Sequence, residues 1–245
     1  MNNSECIVGV SPDASIGGIR LLDGPVTDLK ESLSLSYNSE NVDIYSSSWG
    51  PDDDGQTLDG PRELAQAVLK KGAEHGRHGL GNIFVWASGN GGKYFDSCAA
   101  DGYCNSIYTI TIASTTQFES YPWYSEKCAS ILTTVYSSGY ENEAKIMTTD
   151  LGGQCSDKHT GTSAAAPVAA GVVALILEAN SKLTWRDVQH IIVETSVPGP
   201  LLGTGKFLTN CTVRQIKKLN FLIMHSFNVL CMVLVKNSHT TTVSD

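Results

Sequence analysis

Apolar, β-branched runs alternate with amphipathic stretches along most of this 245-residue chain. The runs near 7–10, 16–22, 42–48, 82–88, 109–114, 131–135 and 145–149 predict strands, because each is short, apolar and bounded by turn-forming residues. Helical periodicity predicts helices near 26–35, 61–77, 163–179 and 184–194. The helix at 61–77 is expected to bury a stripe of Leu64, Ala67 and Val68, with Lys70 and Lys71 turned outward. The helix at 163–179 is apolar nearly all round, which predicts a central, buried helix. Strands that are apolar along their length and separated by helices imply a mostly parallel sheet covered on both faces. That is an α/β fold in three layers, an α/β/α sandwich. The length suits one such domain, and no internal repeat or low-complexity block interrupts it.

Chemistry first enters at Gly161-Thr162-Ser163-Ala164-Ala165-Ala166-Pro167, which opens the predicted central helix. A serine in this place stands at the positive end of a helix dipole, where backbone N–H groups face whatever its hydroxyl attacks. The three alanines permit close packing, and Pro167 is expected in the first turn, where a missing N–H costs nothing. A plain serine N-cap on a core helix has the same local pattern. A second segment tips the balance: Asn82-Ile83-Phe84-Val85-Trp86-Ala87-Ser88 is an apolar strand that ends in Gly89-Asn90-Gly91-Gly92. An ordinary turn suits an Asn before Gly, yet a side-chain amide is also a donor able to stabilise a tetrahedral oxyanion. Ser163 and Asn90 together make half of an acyl-transfer site.

The formal net charge is −8, and acids gather at Asp28, Glu31, Asp52, Asp53, Asp54, Asp59, Asp96 and Asp101. This balance argues against nucleic acid and towards basic peptides or cations. The acidic run at 52–54 follows Ser48-Trp49-Gly50-Pro51 at the end of an apolar strand, where pockets form in open parallel sheets. Seven cysteines are compatible with a secretory compartment.

Several motifs carry a family resemblance. They are Ile16-Gly17-Gly18-Ile19-Arg20-Leu21-Leu22-Asp23-Gly24, Ser47-Ser48-Trp49-Gly50-Pro51-Asp52-Asp53-Asp54-Gly55 and Phe84-Val85-Trp86-Ala87-Ser88-Gly89-Asn90-Gly91-Gly92. Asp101-Gly102-Tyr103, Pro122-Trp123-Tyr124-Ser125-Glu126, Thr148-Thr149-Asp150-Leu151 and Leu183-Thr184-Trp185-Arg186-Asp187 add to them. With Ser163 and Asn90 in this order, the chain resembles subtilisin-type serine proteases, and more narrowly the kexin/furin-like proprotein convertases, over residues 1–200. The resemblance implies a subtilisin-like sandwich and a catalytic Asp, His and Ser in that chain order. In the family the Asp and His motifs precede the region matching Asn2-Asn3. No Asp-Gly strand end and no His-Gly-Thr motif precedes Ser163 here, so the expectation is a partial catalytic domain with its amino-terminal part missing. His159 is too close to Ser163 to serve as its base, His75, His78 and His190 read as surface residues, and His225 and His239 fall in the tail. The chain alone is then expected to turn over little. A catalytically inactive truncated isoform that binds basic peptides is the alternative. Residues 201–245 form an unmatched tail, expected to be a gene-model or splice artefact. Its apolar stretch 219–235, interrupted by Asn220, His225, Ser226 and Asn228, is short for a membrane span.

The resemblance also assigns roles. Ser163 is the nucleophile and Asn90 the oxyanion donor. Asp53 and Asp101 line the first pocket, which receives a basic residue at the cut, with carbonyls of Pro51 and Ala87 and the edge of Gly50. Glu31, Asp59 and Tyr103 match positions that receive a second basic residue further from the cut, and Asp28 and Asp52 match still more distant acidic positions. Asp53, Asp96 and Glu126 match a Ca²⁺ site, an all-oxygen donor set suited to that ion. Asn3, with carbonyls of Glu5 and Ile7, matches part of another. Ser106 and Thr109 fit a third cation site less well, because Cys104 stands where a hydroxyl is usual. The implied disulfides are Cys6–Cys155 and Cys98–Cys128, the second closing a loop worth about 3.7 kcal/mol in the chain-entropy account. The implied partners are proprotein substrates cut after paired basic residues, the protein's own propeptide and a β-rich downstream domain, all in the secretory pathway.

Overall fold

The computed structural model describes residues 5–197 and two further short strands, Lys217–Leu219 and Cys231–Val233. Chain order is β1 (Ile16–Gly17), α1 (Asp28–Leu35), β2 (Ile44–Ser47), α2 (Glu63–Gly79), β3 (Ile83–Ala87), β4 (Thr109–Thr115), β5 (Ile131–Tyr136), β6 (Ile146–Asp150), β7 (Gln154–His159), α3 (Thr162–Ala179), α4 (Trp185–Thr195), β8 (Ser196–Val197), β9 (Lys217–Leu219) and β10 (Cys231–Val233). One sheet runs β1-β10-β2-β3-β4-β5-β9-β8, parallel except between β8 and β9.

The period of two along the central strands sorts the core into two layers. Ile83, Val85 and Ala87 face α3 and α4, where they meet Ala165, Ala169, Val173, Val188 and Ile192. Phe84 and Trp86 face the opposite side, towards Leu35 of α1 and Leu69 of α2. This is the expected three-layer sandwich, with α3 as its buried central helix. Thr27 caps α1 through its side chain, and Thr184 and Asp187 form a reciprocal capping box at the start of α4.

Five local expectations need correction. No strand forms near 7–10, where Ile7 and Val8 are exposed, and the strand near 16–22 shrinks to Ile16–Gly17. The run near 145–149 is a strand, but it leaves the parallel sheet and pairs antiparallel with polar β7. Gly152 and Gly153, both at positive φ (71° and 72°), turn the chain back between them. In α2 the buried stripe is Ala65, Leu69, Gly72 and Ala73, while Leu64 is 49% exposed. The helix lies so close to the sheet that a Cβ on Gly72 would sit 2.8 Å from the Phe84 ring, so small residues take the inner arc. Finally, Pro167 is the sixth residue of α3, beyond its first turn.

Both expected disulfides are formed, Cys6–Cys155 and Cys98–Cys128. The second staples two loops at positions two residues away from Asp96 and from Glu126.

Candidate active site

The carboxyl ends of β2 and β3 meet the amino end of α3, the place where open α/β sheets bind ligands. Gly161 turns the chain into α3 at φ 91°, and a Cβ there would stand 2.7 Å from Oδ1 of Asn90. Glycine is therefore required on two counts, backbone conformation and space. Thr162 and Ser163 are the first two residues of the helix. Pro167 lacks the N–H that would bond the Ser163 carbonyl, and the Ser48 hydroxyl donates to that carbonyl instead, at 3.1 Å. The proline in the second turn thus ties the helix start to the loop after β2.

Asn90 is oriented by the same helix. Its Oδ1 accepts from the Thr162 N–H (2.9 Å) and the Thr162 hydroxyl (3.1 Å), which assigns Nδ2 as the remaining donor. Among the described residues neither Asn90 Nδ2 nor the Ser163 N–H has an acceptor. Both residues line a cavity of about 80 Å³, together with Gly50, Pro51, Asp53, Ala87 and Asp101. Seven residues expected at the cut thus share one cavity. Sequence reasoning missed Ser48, Trp49, Gly89 and Thr162 on its wall. Pro167 was the available signal for Ser48, since it leaves the Ser163 carbonyl four residues earlier in want of a donor. A larger cavity of about 490 Å³, bordered by Pro61, Lys70 and Tyr108, contains none of these chemical groups.

Asp101 and Ala87 are joined by a residue that had no assigned place here. The buried Cys104 thiol donates towards Asp101 Oδ2 (3.2 Å) and the Ala87 carbonyl (3.4 Å). Burial pushes the Asp101 carboxyl up, against the Cys104 thiol and the N–H groups of Tyr103 and Cys104 that hold it down. Trp49, Trp86 and Tyr103 stack behind the pocket at centroid distances of 4.7 to 5.0 Å and fix its walls relative to each other.

Beneath the pocket, ligand oxygens of Asp53, Asp96 and Glu126 lie within 4.8 Å of one another. Glu126 is pushed up to about 8, by burial first and then by Asp53 and Asp96, while the Gly91 N–H opposes the shift. Three crowded carboxylates with no basic side chain among them are the donor set of a hard cation. A second role of Asp53 links this cluster to Asn90: Asp53 Oδ2 accepts from the Asn90 N–H at 2.8 Å. Of the second expected cation site, Asn3 lies outside the described residues, and Glu5 and Ile7 sit on the exposed amino-terminal stretch.

Glu31, Tyr103, Asp28 and Asp59 form a second acidic group, with Asp52 exposed nearby in sequence to the first. Asp28 already has a structural task, since its two oxygens accept the N–H groups of Leu64 and Ala65 at the start of α2, both at 3.0 Å. The described histidines His75, His78, His159 and His190 are all exposed, and none lines the cavity.

The sequence model of the subtilase family matches residues 1–222. The chain belongs to the subtilase family. It is 57% identical over 215 residues to furin of Homo sapiens, covering 88% of this chain and 27% of that protein. It is 60% identical over 200 residues to proprotein convertase subtilisin/kexin type 5 of Rattus norvegicus, covering 82% of this chain and 11% of that protein. The chain thus spans about a quarter or less of the length of these relatives. Among solved structures, the serine protease of Aeromonas sobria, in complex with its chaperone, superposes with a TM-score of 0.70 at 16% identity, covering 85% of this chain and 44% of that one. A cold-adapted subtilisin-like serine proteinase gives 0.61 at 19% identity, covering 87% and 72%. These structural matches establish the subtilisin-like fold.

Proposed function

We propose that this chain forms the nucleophile and specificity half of a serine endopeptidase of the proprotein convertase kind, cleaving secretory precursors after paired basic residues. The observation that carries this reading is one cavity that holds Ser163, an unengaged Asn90 Nδ2 and two carboxylates, Asp53 and Asp101. Ser163 Oγ attacks the scissile carbonyl. Its proton passes to a general base, a role that subtilisin-type proteases give to a carboxylate-held histidine and that none of the described histidines, all outside the cavity, fills. The oxyanion is held by Asn90 Nδ2 and the Ser163 N–H, both preset by the start of α3. The two carboxylates receive a guanidinium, whose forked donors match paired oxygen acceptors. Glu31, Asp59 and Tyr103 take a further basic residue, more distant from the cut than the pair. The relatives' names, furin and proprotein convertase, agree with this substrate class. The two disulfides agree with an oxidising, secretory compartment.

The test compares Arg-Val-Lys-Arg substrates with the same sequences ending in Ala, using the intact protein. Cleavage after Arg is expected, and Asp101→Asn should lower kcat/KM by about 10- to 100-fold, the worth of a charge-assisted hydrogen bond. Binding without cleavage would instead make the protein an inactive peptide binder.

Asp53, Asp96 and Glu126 would hold Ca²⁺, which neutralises their mutual repulsion and braces the loop that carries Asn90. Saturating Ca²⁺ is expected to raise the thermal midpoint, with about 2.7 kcal/mol gained at a hundred times Kd. Glu126→Gln should abolish most of that rise. A midpoint indifferent to Ca²⁺ and to chelator would remove the site.

A further inference from the structure

Glu31 is the most deeply buried carboxylate of the second acidic group, 4% exposed, and its Oε1 has no hydrogen-bond partner. Its neighbours come from three directions. Asp28 lies on its own helix, Asp59 and Arg62 on the stretch leading into α2, and the Tyr103 hydroxyl on the loop after Asp101. Asp28 is committed to the α2 amino end, and Asp59 Oδ1 accepts from the Gly60 N–H at 2.8 Å. Neither can offer Glu31 a donor, and both repel its charge. Arg62 is exposed and acts more weakly than the acids. A buried carboxyl with an open oxygen and two like charges beside it favours the protonated form.

We propose that this acidic group works by proton exchange: Glu31 keeps a proton while no cation is bound and releases it to solvent when a guanidinium or ammonium group binds. The proposal rests on the reading of the cleft as a site for basic peptides and adds its regulation. Charge in this acidic group is conserved, because one proton leaves as one cation arrives. The incoming N–H donors satisfy the oxygen that now has none.

Burial, ahead of Asp28 and Asp59, pushes Glu31 up to about 7, with Tyr103 and Arg62 opposing. Above that pH the carboxylate is already ionised and binding releases nothing. Below it, the gain from a second basic residue falls by about tenfold per pH unit. Recognition of a basic residue further from the cut is therefore weaker in acidic surroundings than in neutral ones, while the paired Lys-Arg next to the cut is common to both kinds of peptide.

The experiment uses the intact protein in Ca²⁺-containing buffer and two product-type peptides, Arg-Val-Lys-Arg and Ala-Val-Lys-Arg, each ending in a free carboxylate. Calorimetry in buffers of different ionisation enthalpy gives affinity and protons released between pH 5.5 and 8.5. The expected result is a ratio of affinities, Arg over Ala, that drops by about 30-fold from pH 8.5 to 5.5. Up to one proton should be released by the Arg peptide alone at pH 6. Groups titrating elsewhere, Asp101 and Glu126 among them, act on both peptides and cancel in the ratio. Glu31→Gln, checked for folding by its thermal midpoint, should make the ratio independent of pH. A ratio unchanged across the range with both peptides bound overturns the proposal alone. Failure of both peptides to bind at pH 8.5 overturns the reading of the cleft as well.

Discussion

Ser163→Ala in the intact protein is expected to lower kcat on an Arg-X-Lys-Arg substrate by about 10⁵–10⁶-fold, with KM nearly unchanged. The size follows from removing the attacking atom while every binding group stays in place. The substitution is structurally mild for a reason visible at the helix start. The Ser163 carbonyl, not its hydroxyl, holds the loop after β2 through Ser48. Alanine is a good helix former, so the first turn of α3 gains rather than loses propensity. The thermal midpoint should therefore stay within a few degrees, and Ca²⁺ should still raise it. The check is a progress curve on a fluorogenic peptide with the variant's thermal melt beside it. Residual activity above a per cent or so of the wild type would place the nucleophile elsewhere.

The layers of the fold were legible because the signal for them is strong and local. Ile83 to Ala87 is apolar at every position, which is what a strand covered on both faces requires, and α3 is apolar on nearly all sides because it fills the centre. The errors occur where packing distance, not hydrophobicity, decides. α2 brings Gly72 up against Phe84, where any side chain would clash, and turns Leu64 to solvent while Leu69 is buried. β7 is polar along its length, so no hydrophobic period marks it; its pairing with β6 depends on the glycine turn between them.

At the site, Ser163 and Asn90 were legible because each stands at a junction of strand or helix with small residues. Their connection was not. The bond from Thr162 to Asn90 spans 72 positions, and nothing in either segment specifies the other. Pro167 was misplaced for the same reason: its cost is offset by Ser48, a residue far away in sequence. Asp28 shows the converse. The resemblance matched it to a distant acidic position, and the fold gives each of its oxygens an N–H at the α2 amino end as well, a task nothing in its own segment announces.

The second large effect is expected at Asn90, where two functions of one side chain can be separated. Asn90→Ala removes Nδ2, the proposed oxyanion donor, and Oδ1, the acceptor that holds the Thr162 N–H. Loss of a single such donor lowers kcat by about 10²–10³-fold, and loss of the cap-like acceptor costs about 1 kcal/mol of stability. Asn90→Asp keeps an oxygen for the Thr162 N–H and hydroxyl but replaces the donor with a second oxygen. It should retain or improve the stability of the α3 start, since a carboxylate suits a helix amino end. Its kcat should fall at least as far as that of the alanine variant, because a negative charge now faces the developing oxyanion. The two variants are thus expected to diverge in thermal midpoint and to agree in lost kcat, with KM little changed. The pair is decided by steady-state kinetics and thermal melts on the same preparations. If Asn90→Asp kept kcat within about tenfold of wild type, the oxyanion would have to be held without Nδ2, by the Ser163 N–H and a donor outside the cavity wall described above.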